Sequence, residues 1–260
     1  MSQTKVFSFA SGNDISQALS EFVAQASSEA IARSGRFTVA FSGGSLPATV
    51  CRFLVDNGDV DFAKWHVFWA DERCVKLDDS ESNFALVKSE LLDPLTQAGR
   101  GIPADQVVHI SEALVHDSAA AAADYQSRME QVFADAAHAG SFPAFDCVLL
   151  GIGPDGHTCS LFPGHPLLEE TTKWVASIDD SPKPPPRRIT LTLPVVNHAA
   201  RVAFVATGAG KRDMLKRIIE SKDADLPAAR VAPASGSVYW FLDSAAAQDL
   251  SASTTAKFCL

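Results

Sequence analysis

Short apolar runs alternate with helix-period stretches along this chain, and each run stops at a loop rich in glycine or charge. Residues 37–41, 65–70, 147–152, 201–207 and 238–242 are apolar at nearly every position, the pattern of strands buried on both faces. Over residues 14–33, Ile15, Leu19, Phe22, Val23, Ala26 and Ala30 recur at helical spacing, with Asp14 as the expected N-cap. Further helices are expected over 46–54, with Pro47 in the first turn, over 82–92 closed by Pro94, over 114–137, and from Lys211 to about Glu220. Such alternation predicts a three-layer α/β fold, a mostly parallel twisted sheet with helices on both faces. Residues 6–9 read as an edge strand, 107–110 as a weak strand, 189–193 as a threonine-alternating strand, and SPKPPP (181–186) as an extended loop. With no internal repeat and no dividing linker, one α/β domain over residues 1–260 is expected.

Composition narrows the function classes. The chain is 260 residues long and 47% hydrophobic, enough for a sizeable core. A formal net charge of −9 argues against a nucleic-acid partner, and it means that an anionic ligand must be met by a local cluster of cations. The five cysteines form no CxxC pair and read as reduced thiols. No apolar run approaches the ~18 residues of a membrane span, and no secretory leader pattern opens the chain, so no membrane partner and a cytoplasmic location are expected.

In a parallel sheet, ligands gather at the carboxyl ends of the strands. Four such ends carry polar loops here: SGGS (42–45), DER (71–73), PDGH (154–157) and GAGK (208–211). All four are expected to face one cleft. Ser42, Gly43 and Gly44 offer bare backbone N–H groups at a helix start, a bed for phosphate. Asp155 and His157 stand two residues apart on a glycine-rich turn, a plausible general-base arrangement. Arg73 reads as an anion ligand in preference to an ion-pair partner of Asp71 or Glu72. Lys211 reads as a point charge for phosphate. Asn83 either contacts substrate or caps its helix, and Arg187 and Arg188 either clamp a substrate or keep their loop soluble.

Several motifs are excluded by their own requirements. GAGK is no Walker A motif, because Val205 and Arg212 stand where glycine and Ser/Thr are needed. Gly151, Gly153 and Gly156 match the dinucleotide fingerprint, but Pro163 ends the segment too soon for the long helix that pyrophosphate requires. No HExxH motif, cysteine pair or GxSxG elbow occurs, so neither a metal nor a serine nucleophile is expected.

The segments FSGGSLP, WADER, SESNF, LLGIGPDGHTCSLFPGHP, RITLTLP and TGAGK, in this order over residues 36–242, resemble the 6-phosphogluconolactonase family. The resemblance implies a Rossmann-like fold of the deaminase/lactonase type and hydrolysis of 6-phospho-D-glucono-1,5-lactone without a cofactor. It implies His157 as the base, Arg73 and Lys211 on phosphate or carbonyl oxygen, and the SGG turn as the phosphate cradle. The related glucosamine-6-phosphate deaminases place a glutamate five residues after the histidine; here that position is Phe162, which carries no proton. Asp71 aligns with a proton-moving acid of the deaminases, which the lactonases also keep. The expected catalytic set is therefore His157, Asp155 and Arg73. The expected binding set is Ser42, Gly43, Gly44, Lys211, Arg188, Asp71 and Asn83. The expected partner is a small phosphosugar lactone, met by a monomer or weak homodimer.

Overall fold

A computed structural model describes residues 3–259. The elements run β1 (Gln3–Phe9), α1 (Gly12–Ser34), β2 (Phe37–Phe41), α2 (Leu46–Leu54), β3 (Trp65–Trp69), β4 (Asp71–Arg73), α3 (Asn83–Val87), α4 (Asp93–Gln97), α5 (Ser118–Val132) and α6 (Ala134–His138). They continue as β5 (Cys147–Gly151), β6 (Val175–Ile178), β7 (Arg188–Leu191), α7 (Leu193–Val196), β8 (Arg201–Ala206), α8 (Arg212–Ile219), β9 (Ser237–Asp243), α9 (Ser244–Ala247) and β10 (Thr255–Ala256). Seven strands form one sheet in the order β10-β1-β9-β8-β5-β2-β3, with every pairing parallel. A second, three-stranded antiparallel sheet has the order β4-β7-β6.

The apolar runs are continuous because each strand buries both faces. Val39, Phe41, Val67, Trp69 and Leu149 point to the side covered by α1 and α2, where they meet Ile15, Leu19, Val23, Val50 and Leu54. Ala40, Phe68, Val148, Leu150 and Phe204 point to the other side, against Tyr125 and Met129 of α5, Leu215 of α8 and Ile189 and Leu191 of β7. Trp65 is fully buried, and its indole N–H donates to Ser27 Oγ at 2.8 Å, so the polar edge of the ring is not left unpaired.

The position of the site follows from strand order. The chain leaves β2 for β3 on one side of the sheet and leaves β5 for β8 on the other, while β2 and β5 are neighbours. The loops after these two strands therefore diverge and open a crevice at their carboxyl ends. The SGG turn follows β2 and the PDGH turn follows β5, so strand order alone brings them together.

Local expectations differ from the structure in instructive ways. Ser11, not Asp14, caps α1: its Oγ accepts from Asp14 N at 3.2 Å and donates to the Asp14 carboxylate. Pro94 does not close its helix. A wide turn over Lys88–Leu92, with Asp93 N bonded to Lys88 O, shifts the hydrogen-bond register and accommodates the missing N–H. The expected helix over 114–137 starts later, at Ser118 under the Asp117 cap, and breaks at Phe133, whose ψ of 45° leaves the helical region. Residues 107–110 make only a bridge to Val67. The strand at residues 6–9 is not at the edge, because β10 pairs outside it. β6 is a strand that its local sequence does not announce; β7 supplies its pairing. DER is itself a strand of the small sheet, with Arg73 opposite Arg188.

Candidate active site

The crevice is a cleft of about 180 Å³ lined by Ser42, Gly43 and Gly44 from the turn after β2, Asp71 and Arg73 from β4, Asn83, Gly153 and His157 from the turn after β5, and Arg188 from β7. Eight of the ten expected site residues thus share one wall or another of it. Asp155 and Lys211 stand beside it. A larger cavity of about 700 Å³ lies at the amino ends of the strands, around Arg33, Arg36, Asp146 and His198, away from all four loops.

His157 is held from three directions. Its Nδ1 lies 2.5 Å from Asp155 Oδ1, its carbonyl accepts from Gly153 N at 2.9 Å, and its ring lies against Phe162 with centroids 4.7 Å apart. Gly153 has to be glycine, since a Cβ there would fall on the imidazole. Phe162 is 2% exposed, so the position that carries the deaminase glutamate here supplies a buried apolar wall. Burial pushes the His157 pKa below the ordinary imidazole value, against the opposing pull of the Asp155 carboxylate. Burial alone would raise the Asp155 pKa, but the hydrogen bond and charge of His157, with help from Lys183, bring it down to about 2. Asp155 is therefore an anion at neutral pH and Nδ1 carries the proton it accepts. That leaves the lone pair of a neutral imidazole on Nε2, which has no protein partner among the described residues.

Asp71 is 4% exposed and is fully engaged: Ser42 Oγ and Ser160 Oγ each donate to its carboxylate at 2.9 Å, and Asn83 Nδ2 donates to its carbonyl at 2.8 Å. It ties the turn after β2 to the segment after His157. Glu72 is sealed beneath it. Its two oxygens accept from the backbone N–H groups of Arg73, Asn83 and Phe84 and from Ser82 Oγ. Burial raises its pKa to about 7 in spite of those donors. Asn83 is not the helix cap. Ser82 is, accepting from Ala85 N at 3.2 Å. Asn83 instead packs on the SGG turn with its Oδ1 unpartnered.

The cations divide by role. Arg73 pairs with neither Asp71 nor Glu72; its Nη1 donates to the Glu81 carbonyl at 2.7 Å and reaches the Glu81 carboxylate at 3.5 Å, and Nη2 has no protein partner among the described residues. Lys211 Nζ donates to the Ile152 carbonyl at 2.9 Å, one residue from Gly153. Its pKa is lowered by burial and then by the nearby charge of Lys183. Arg188, 3% exposed, turns its donors to the Lys183, Pro184 and Pro185 carbonyls and to Ser160 Oγ. Arg187 points outward to Asp179 and the His116 carbonyl. Two residues escaped the sequence reading. Lys183 reaches Asp155 Oδ1 at 3.2 Å, and its one sequence signal is being the sole cation inside a proline run. Glu72 was visible only as a neighbour of Arg73.

Residues 10–240 match the profile of the family described as glucosamine-6-phosphate isomerases/6-phosphogluconolactonase. The 6-phosphogluconolactonase of Rattus norvegicus is 46% identical over 248 residues, covering 94% of this chain and 92% of that protein. The Homo sapiens 6-phosphogluconolactonase is 45% identical over 246 residues, covering 92% and 91%. Among solved structures, the 6-phosphogluconolactonase from Trypanosoma cruzi superposes with a TM-score of 0.83 at 28% identity, covering 96% of this chain and 98% of that one. A match of this extent over nearly the whole length places the chain without ambiguity. It belongs to the glucosamine-6-phosphate isomerase/6-phosphogluconolactonase family.

Proposed function

We propose that this protein hydrolyses 6-phospho-D-glucono-1,5-lactone to 6-phosphogluconate, the lactone-opening step of the oxidative pentose phosphate pathway, with His157 as general base. The observation that carries the reading is the Asp155–His157 pair, which sets the imidazole in the wall of a cleft lined also by Arg73 and Arg188, with Lys183 and Lys211 close by. Neutral Nε2 takes a proton from water as the oxygen attacks the lactone carbonyl carbon. Negative charge develops on the carbonyl oxygen, where Arg73 Nη2 or a backbone N–H of the SGG turn stabilises it. Collapse of the tetrahedral intermediate breaks the bond to the ring oxygen, and the imidazolium returns its proton to that oxygen. Asp155 holds the ring orientation throughout and stabilises the imidazolium.

General-base assistance supplies about 10²–10⁴-fold. A lactone already hydrolyses in water, so that factor plus orientation by a held phosphate is sufficient. Lys211 and the SGG turn are the groups for that phosphate. The other activity in the family's description requires a group that moves a proton during ring opening, and Phe162 is unable to do so. The test is lactone hydrolysis at pH 7, corrected for the spontaneous rate, beside ammonia release from glucosamine 6-phosphate. His157→Ala is expected to lower kcat by about 10²-fold or more with KM nearly unchanged; retention of most of the kcat rejects the base assignment.

A further inference from the structure

We propose that Lys183, carried to the His157–Asp155 pair on the proline-rich loop, is a positioning residue for that pair, and that Arg188 is the anchor that sets Lys183 there. The proposal rests on the reading of His157 as the base.

Lys183 Nζ lies 3.2 Å from Asp155 Oδ1 and 3.4 Å from His157 Nδ1. An ammonium has no acceptor, and Nδ1 carries a proton, so the two nitrogens do not bond to each other. Both donate to the same carboxylate oxygen. With the backbone N–H of His157, at 3.4 Å, Asp155 Oδ1 has three donors, and Lys183 is the one that comes from outside its own turn. A 36%-exposed carboxylate held only by donors of its own turn swings with that turn; held also by a charged donor from a separate loop it does not.

The loop is built for this task. Ser181 Oγ donates to the Lys183 carbonyl at 2.9 Å, and Lys183 N donates back to Ser181 Oγ at 3.3 Å. Ser181 N donates to the Pro186 carbonyl at 3.1 Å, closing the loop on itself. Arg188 then gathers three successive carbonyls, those of Lys183, Pro184 and Pro185, at 2.8 to 3.1 Å. Its guanidinium also lies 5.8 Å from the Phe162 ring, which in turn supports the imidazole. A buried arginine that spends most of its donors on one loop is a structural clamp, and the long side chain that this loop sends toward the imidazole is Lys183.

The electrostatic consequence is definite. The charged groups around the imidazole are Asp155 and Asp71, which favour its protonation, and Lys183, which opposes it; Lys211, Arg73 and Arg188 complete the cleft's charges. Lys183 thereby helps to keep Nε2 unprotonated at neutral pH while its hydrogen bond keeps Nδ1 the donor.

The experiment is ¹⁵N-imidazole NMR titration of His157 together with the pH profile of kcat/KM, in the wild type, Lys183→Met and Lys183→Arg. Lys183→Met is expected to raise the imidazole midpoint and the acid limb together by about one pH unit, and to lower kcat about tenfold with KM changed less than about twofold. Lys183→Arg is expected to restore both. A midpoint that does not move in Lys183→Met overturns the proposal, and so does a large rise in KM with kcat intact, which makes Lys183 a phosphate ligand. If the midpoint moves but His157→Ala keeps its kcat, the base reading fails while the Lys183 contact stands.

Discussion

Gly43 leaves open the space that Asn83 fills: a Cβ on Gly43 would fall on Asn83 Oδ1. The SGG turn and the start of α3, 40 residues apart in the chain, are therefore fitted to each other. Gly43→Ala must push the amide aside and break the bond from Asn83 Nδ2 to the Asp71 carbonyl. Overpacking of this kind costs about 1–3 kcal/mol. The expected result is a lower urea midpoint and a larger loss of kcat/KM than stability alone explains. An alanine variant with full kcat/KM contradicts the fit.

Lys211→Ala removes one charge from the rim without touching the base. A charge-assisted hydrogen bond is worth about 1.5–3 kcal/mol, so KM is expected to rise roughly ten- to a hundredfold with kcat largely kept. Steady-state kinetics, with inorganic phosphate as a competing ligand, read this directly. A variant whose inhibition by phosphate is unchanged places the phosphate elsewhere.

Activity is expected to decline on acidification. The base works as the neutral imidazole, and burial sets its pKa below 6.5, so the acid limb of kcat/KM lies below that value. Stability follows the same sign. The folded state binds this proton less tightly than the unfolded chain, so stability present above 6.5 is lost as pH falls from there toward the folded midpoint. Asp155, lowered from 3.8 to about 2, contributes stability that is lost between those two values. An acid limb above 7 in the wild type is incompatible with this account.

Glu72 is the buried hub under the cleft. Glu72→Ala strands three backbone N–H groups and the Ser82 hydroxyl. Unsatisfied buried donors cost about 1–3 kcal/mol each where water does not reach them, and partial relaxation leaves a net loss of about 3 kcal/mol. Thermal unfolding is expected at a clearly lower temperature. Glu72→Gln, which keeps one acceptor oxygen, is expected to fall between; equal stability of the alanine variant and the wild type refutes the role.

Much of this arrangement is legible in residue order. The doubly buried runs, the glycine turns after 41 and 151, and the alternation with helices specify a parallel sheet with its polar loops at one edge. From that alone Ser42, Arg73 and His157 belong to one cleft, as they do; that Asn83 joins them was not legible there. Side-chain periodicity and turn chemistry are local properties, and a sequence carries them openly. What only the tertiary structure decided are the contacts between distant segments: Ser160 on Asp71 across 89 residues, Lys183 beside His157 across 26, Arg188 committed to a loop instead of open space. The reason is physical. A buried donor takes whichever acceptor packing brings within about 3 Å, and that partner is set by how the two sheets close on each other, which no spacing along the chain encodes.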